Sequence, residues 1–135
     1  MPSKTKKILI VDDDEVNNLI CTHIIREFDQ TIEVVSLTRG SEAILFLQNS
    51  ITENQATLPD VILLDINMPI MSGWDFIEEC RKLDINLQQK MQLFMLTSSQ
   101  FYQDEEIATR YSEVTGLFTK PLSFNILDKI ESSHF

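Results

Sequence analysis

Short apolar runs alternate along the chain with longer segments in which apolar residues recur at helical spacing. The runs are rich in branched aliphatic residues, which favour strands, and several have no polar position on either face. Continuous apolarity of this kind is typical of strands that are covered on both sides. The pattern predicts five strands, at residues 7–11, 32–37, 61–64, 93–96 and 117–119.

The segments between these strands predict five helices. Apolar faces indicate the first two, and Ser72 and Asp75 have the spacing of a capping box, so a third helix should begin near Ser72. Residues 104–114 and 123–132 supply the fourth and fifth, and the polar stretch 49–59 predicts a surface loop. The first two apolar faces consist of Val16, Ile20, Ile24 and Phe28, and of Ala43, Ile44 and Leu47.

This regular alternation predicts an α/β fold with a doubly wound parallel sheet, because parallel neighbours need crossover connections. A length of 135 residues fits one domain over residues 1–135. Ligands of such sheets bind beyond the carboxyl ends of the strands. Polar residues stand at four of those ends in this chain: Asp12 and Asp13, Asp65, Thr97, and Lys120.

Charge and composition exclude several classes of function. A net charge of −10 disfavours binding to nucleic acid, which depends on clustered Lys and Arg. No apolar stretch approaches the ~20 residues that span a bilayer, and the first residues lack a signal-peptide apolar region, so we expect a cytoplasmic protein. Cys21 and Cys80 lack the spacing of a metal site and are expected to be free thiols.

The acids, the hydroxyl and the amine at the strand ends together suggest phosphoryl transfer. Asp12, Asp13 and Asp65 in one crevice would repel one another, which a divalent cation relieves. Mg²⁺ suits such a site, because it accepts one or two carboxylates and completes its shell with water and phosphate oxygens. A carboxylate can also act as the nucleophile, while a lysine and a hydroxyl neutralise the phosphoryl oxygens.

Four motifs in this order resemble the receiver domains of two-component response regulators, of the stand-alone chemotaxis-regulator-like type. The resemblance covers nearly the whole chain, and it implies five helices around a sheet of strand order 2-1-3-4-5, an order carried over from the family. The motifs are ILIVDD at 8–13, LLDINMPIMSG at 63–73, MLTS at 95–98 and GLFTKP at 116–121.

The resemblance also implies the chemistry of the acids. Asp65 would be the phosphoacceptor, taking its phosphoryl group from a phosphohistidine on a sensor histidine kinase or histidine phosphotransfer protein. Asp13 and Asp65 would bind Mg²⁺ directly, together with the backbone carbonyl of Asn67, and Asp12 would act through a metal-bound water. The family promotes its own phosphorylation and dephosphorylation and is otherwise not an enzyme.

The remaining motif residues would act on the phosphoryl group. By the same resemblance, Thr97 would hydrogen-bond it and Lys120, before a usually cis peptide to Pro121, would form an ion pair with it. Ser98 would leave room for its entry. Asn67 and Ser99 would flank the path of hydrolytic water and so tune the lifetime of the phosphorylated state.

The chain departs from the family at Leu117, where the switch residue is commonly Tyr or Phe. Phe118 should point to the opposite side of its strand and is no obvious substitute. The family's signalling surface, which binds a downstream protein, would be residues 101–114, 117–119 and 123–130. Because Leu117 affects this switching, a phosphorylation-independent protein-interaction module with a receiver fold is an alternative.

Two further alternatives belong to other functional classes. A metal-dependent phosphohydrolase with an aspartyl nucleophile commonly carries a second acid two residues after it, where this chain has Asn67. A flavodoxin-like carrier needs a phosphate-cradling loop after the first strand, and the acidic residues 12–15 have the wrong charge for that.

Overall fold

The fold is described from a computed structural model, which covers residues 5–88, 90–98 and 101–132. Strands and helices alternate along this part of the chain, with a short 3₁₀ turn at Gln55–Thr57 before the third strand. The elements are β1 (Lys7–Val11), α1 (Glu15–Phe28), β2 (Glu33–Leu37), α2 (Gly40–Glu53), β3 (Val61–Asp65), α3 (Gly73–Lys82), β4 (Gln92–Thr97), α4 (Phe101–Ala108), β5 (Val114–Thr119) and α5 (Phe124–Glu131).

The five strands form one parallel sheet in the order β2-β1-β3-β4-β5. This confirms the predicted doubly wound α/β fold and its strand order. The order reverses between β1 and β3, so their carboxyl ends border the crevice in which open α/β sheets bind ligands. None of the helices in the described residues has both the length and the apolarity that a bilayer crossing requires.

Side chains of the strands alternate between two hydrophobic cores. The core on one face joins the sheet to α2 and α3 and includes Leu47 and Phe76. The core on the other face joins it to α1 and α5 and includes Ile25 and Leu127. Each buried aliphatic or aromatic side chain contributes about 1.5–3 kcal/mol relative to leaving it exposed. The cores therefore hold the strand ends, and the polar residues that follow them, in fixed positions.

The predicted core face of the first helix is wrong at two of its four positions. Val16 and Ile20 are 65% and 51% exposed, whereas the buried residues of α1 are Asn18, Cys21 and Ile25. Polar contacts explain the rotation of the helix. The side-chain amide of Asn18 donates to the carbonyl oxygen of Asp12 (2.9 Å), which turns the Asn18 face toward the sheet.

Two predicted boundaries also differ from the structure. The segment 49–59 is not all loop, because α2 continues to Glu53 and its buried Ser50 accepts a hydrogen bond from the Thr57 hydroxyl (2.8 Å). The predicted helix at 104–114 is instead α4 at Phe101–Ala108, followed by the start of β5 at Val114. Val114 pairs with Leu93 of β4, so strand pairing overrides the helical pattern there.

The third and fifth helices follow their predicted starts. Ser72 caps α3 and forms the predicted capping box with Asp75. Ser123 caps α5 by accepting from the backbone N–H of Ile126. The predicted strand 117–119 is the second half of β5, and the strand at 61–64 extends to Asp65.

Candidate functional site

Adjacent strands bring two of the predicted acids together. Val11 of β1 lies beside Leu64 of β3, so Asp12 and Asp65 each come one residue later at the same edge of the sheet. Both are buried, whereas Asp13 is exposed. A carboxylate oxygen from each of the three residues lies within 4.8 Å of the others. The sequence prediction of an acid cluster is confirmed.

Lys120 reaches the same cluster from the end of β5. Its Nζ lies 2.9 Å from Asp12 Oδ2 and 3.1 Å from Asp65 Oδ1. The backbone N–H of Lys120 donates to the carbonyl of Thr97 (2.8 Å), and the following peptide to Pro121 is cis, as expected. The amine therefore enters the site from a backbone that is tied to β4.

The electrostatics of this group favour an additional cation. Burial raises the pKa of the Asp65 carboxyl, the negative charge of Asp12 raises it further, and the ion pair with Lys120 partly offsets both. Burial acts to lower the pKa of Lys120, but its bonds to Asp12 and Asp65 outweigh this and the net pKa is raised. Among the described residues, this site brings together three carboxylates and one ammonium. The excess of negative charge is one that a divalent cation would neutralise.

The residues present fit Mg²⁺ by their chemistry. The potential metal ligands of the acid cluster are all carboxylate oxygens. A hard divalent cation prefers oxygen ligands, particularly carboxylates. Asp12, Asp13 and Asp65 could hold the ion. A cleft of about 550 Å³ opens beside Asp13, and Met68 and Met71 are among the residues that line it.

Hydrogen bonds fix Asp12 in place on both of its oxygens. The side-chain amide of Asn17 donates to Oδ2 (2.8 Å), and the backbone N–H of Asp14 donates to Oδ1 (2.9 Å). Asp14 in turn caps α1 by accepting from the backbone N–H groups of Val16 and Asn17. Asn17 was missed by the sequence reasoning. Its spacing, five residues after an acid at a helix start, is a weak signal that could have suggested it.

Asn67 lies in the loop after β3. It is exposed, and its backbone N–H is 3.3 Å from Asp65 Oδ1. The loop returns at Gly73, whose N–H donates to the carbonyl of Ile66 (2.9 Å). Between them Ile70 has a φ of 70° and is fully exposed, so the loop projects from the edge of the site.

Thr97 is buried at the end of β4, and its hydroxyl donates to a carboxylate oxygen of Asp104 on α4 (2.5 Å). Asp104 is also buried. Sequence reasoning missed this acid, because a spacing of seven residues from strand to helix across a loop follows no regular period. The site is therefore linked to α4 through Thr97.

The positions expected to tune or switch the site differ from one another in exposure and in the core that they contact. Ser98 is exposed directly after β4, and Ser99 lies outside the described residues. Leu117 is half-buried and packs against the core on the α2 and α3 face. Phe118 packs into the opposite core and stacks on Phe94, with ring centroids 5.6 Å apart, so the two neighbours point to opposite sides as predicted.

Comparison with known proteins points to one family. The family model for the response regulator receiver domain matches residues 8–130. Among curated proteins, the chain is 26% identical to response regulator Rcp1 of Synechocystis sp., with 93% of this chain and 83% of Rcp1 covered. It is 28% identical to hybrid signal transduction histidine kinase I of Dictyostelium discoideum, with 93% of this chain covered but only 7% of the kinase.

A solved structure gives the same result at the level of the fold. A two-component response regulator from Cytophaga hutchinsonii is 31% identical, with a TM-score of 0.85 and coverage of 94% of both chains. The family match includes all five strands, except for the first residue of β1, and all the acids of the cluster. The chain therefore belongs to the family of response regulator receiver domains.

Proposed function

We propose that the chain is a phosphoacceptor of two-component signalling and that Asp65 receives the phosphoryl group. The observation that carries the proposal is the position of Asp65 beside a lysine and two other acids. A buried carboxylate lies 3.1 Å from a lysine amine and within 4.8 Å of two further acids. Nucleophile, cation and metal ligands are thus together at one edge of the sheet.

In the proposed reaction, a carboxylate oxygen of Asp65 forms a bond to phosphorus as the P–N bond to the donor's histidine breaks. The imidazole nitrogen keeps the electron pair of that bond and takes up a proton from the solvent. Lys120 forms an ion pair with the transferred group, and the hydroxyl of Thr97 donates a hydrogen bond to it. These contacts replace the solvation that the phosphoryl oxygens lose on entering the site.

The metal in this proposal is Mg²⁺, which would neutralise charge on the phosphoryl oxygens when bound. Asp13, Asp65 and the backbone carbonyl of Asn67 would hold it directly, and Asp12 would hold one of its waters. Asn17 and Lys120 keep Asp12 oriented for that role through bonds of 2.8 and 2.9 Å to Oδ2.

The proposed donor is a sensor histidine kinase or a histidine phosphotransfer protein in the cytoplasm. The output is a changed contact with a downstream protein, through α4, β5 and α5. The chain acts on its own phosphorylation state, with no separate substrate. A phosphorylation-independent module is not favoured, because the acid cluster and Lys120 are assembled as phosphoacceptor chemistry requires.

The mass of the protein after incubation with acetyl phosphate tests this proposal. With Mg²⁺ we expect a gain of one phosphoryl group, and with a chelator no gain. Asp65→Asn should abolish the gain, because an amide is not a nucleophile of this kind. The matched control is Asp128→Asn, which removes an exposed acid of α5 and should label like the wild type.

Two results would contradict the assignment. Undiminished labelling of Asp65→Asn would place the phosphoryl group elsewhere. If no labelling occurs with acetyl phosphate, incubation with a panel of phosphorylated histidine kinases follows, and failure with every one of them would favour the phosphorylation-independent module.

A further inference from the structure

The hydrogen bond between Thr97 and Asp104 uses a group that the proposed function needs. Thr97 is fully buried, and its hydroxyl donates to the carboxylate of the buried Asp104. A hydroxyl has a single hydrogen to donate. It cannot donate fully to the Asp104 carboxylate and to a phosphoryl oxygen on Asp65 at the same time. Phosphorylation and this bond therefore compete.

Burial makes this bond matter for the competition. Thr97 and Asp104 are 0% and 6% exposed, so water cannot readily replace either partner. A buried carboxylate that loses its donor is left with an uncompensated charge, which is costly. Asp104 therefore gains more from this partner than an exposed acid would.

The position of Asp104 gives the competition a structural consequence. It lies in the middle of α4, on the side of the helix that faces the sheet, whereas its neighbours Glu105 and Glu106 are exposed. Thr97 ends β4, which is next to β3 and Asp65. Loss of the bond would release the inner face of α4 from the site.

We propose that Asp104 is a positioning residue: it holds the Thr97 hydroxyl in the unphosphorylated protein and gives it up when Asp65 is phosphorylated. This inference rests on the proposed function. The Thr97–Asp104 pair links the site to α4 without an aromatic residue at position 117, where this chain has Leu117. In this chain the polar pair transmits the state of Asp65 to the signalling surface.

The test is a titration with beryllofluoride, a phosphoryl analogue, in excess Mg²⁺. Asp104→Ala removes the competing acceptor, so we expect beryllofluoride to bind about tenfold more tightly, as loss of one hydrogen bond to a charged group implies. Asp104→Asn keeps the shape and a weaker acceptor and should tighten binding less. Glu105→Gln is the matched control, because it removes an exposed charge from the same helix, and it should bind like the wild type.

A double-mutant comparison separates competition for the hydroxyl from simple charge repulsion. In a Thr97→Val background there is no hydroxyl to release, so Asp104→Ala should leave the affinity unchanged. If the tightening persists in that background, Asp104 acts through its charge alone and the inference is wrong. The inference would also be wrong if the single variant Asp104→Ala, with Thr97 intact, bound beryllofluoride no more tightly than the wild type does.

Hydrogen exchange at the amides of α4 provides a readout that affinity alone does not. Beryllofluoride should speed exchange in α4 of the wild type, whereas Asp104→Ala, which has no acceptor for the Thr97 hydroxyl, should show fast exchange without it. Slow exchange in both unliganded proteins would contradict the inference. A wild type that binds no beryllofluoride would instead count against the proposed function, so the two failures are distinguishable.

Discussion

Gly73 lies where the loop after β3 passes so close to the strand end that a side chain has no room. A Cβ at this position would lie 2.9 Å from the carbonyl oxygen of Asp65 and 3.0 Å from Cα of Ile66. Both are backbone atoms, which cannot move without displacing Asp65 itself. The geometry of the acid cluster therefore depends on a residue that carries no functional group.

We predict that Gly73→Ala lowers the free energy of unfolding by about 1–3 kcal/mol, because the clash is with backbone. It should also weaken Mg²⁺ binding, since Asp65 is displaced. Urea unfolding and a Mg²⁺ titration measure the two effects. Gly40→Ala is the matched control: its Cβ would meet the flexible end of Met71, which can rotate away, and unchanged Mg²⁺ affinity is expected. Equal effects in the two variants would contradict the argument.

The residues that could be predicted from the sequence are those at the ends of continuous apolar runs. Asp12, Asp65, Thr97 and Lys120 follow such runs directly, and parallel pairing alone brings strand ends together. Asn17 and Asp104 reach the site from helices, where their orientation depends on loop geometry and on the rotation of each helix. Neither the loop geometry nor the rotation of a helix can be predicted from the periodicity of the sequence.

At the scale of elements, α3 is tied to the segment before β5 by charge and by stacked rings. Arg81 binds Glu113 through two hydrogen bonds of 2.6 and 2.8 Å, and its guanidinium lies 4.9 Å from the ring centroid of Tyr111. Trp74 stacks on the same ring at 5.1 Å. This cluster fixes α3, which begins beside the acid site, against the strand that delivers Lys120.

The hydrogen bond and charge of Arg81 hold the pKa of Glu113 below its ordinary value of 4.5, against the opposing effect of burial. A carboxyl whose pKa is lower in the folded state adds stability above its unfolded pKa, and this is lost as pH falls through the folded value. Glu113→Gln should therefore be less stable than wild type at pH 7, and the difference should shrink below about pH 4.5.

Urea midpoints of both proteins between pH 3 and pH 7 measure this dependence. Glu105→Gln, which removes an exposed acid, serves as the control and should show little difference at any pH. A deficit in Glu113→Gln that stays constant down to pH 3 would mean that packing, rather than the charge of Glu113, stabilises the link.

At the same scale, α1 shows where helical periodicity is insufficient. The row of Val16, Ile20, Ile24 and Phe28 predicts the existence of the helix correctly but not its rotation. Asp14 caps the helix and the buried Asn18 amide bonds to the carbonyl of Asp12, and these polar contacts outweigh the apolar row near the helix start. The Oδ1 of Asn18 has no hydrogen-bond partner among the described residues, so this rotation carries a cost.

For the whole molecule, the charge distribution predicts how metal ions affect stability. The net charge is −10, and the acid cluster concentrates part of it at one edge of the sheet. An ion that binds the folded state alone stabilises it by about 2.7 kcal/mol at a concentration 100 times its dissociation constant. Mg²⁺ should therefore raise the unfolding midpoint in a saturable way.

General screening of negative charge would also stabilise the protein, so the comparison is with NaCl at matched ionic strength. Screening depends on ionic strength and acts on every acid, whereas site binding depends on the cluster. We expect MgCl₂ to raise the midpoint more than NaCl does, and Asp13→Asn to lose most of that difference, because it removes an exposed carboxylate that we propose as a ligand without disturbing the buried Asp12 and Asp65. Equal gains from the two salts in the wild type would mean that Mg²⁺ acts on the overall charge and not at the acid cluster.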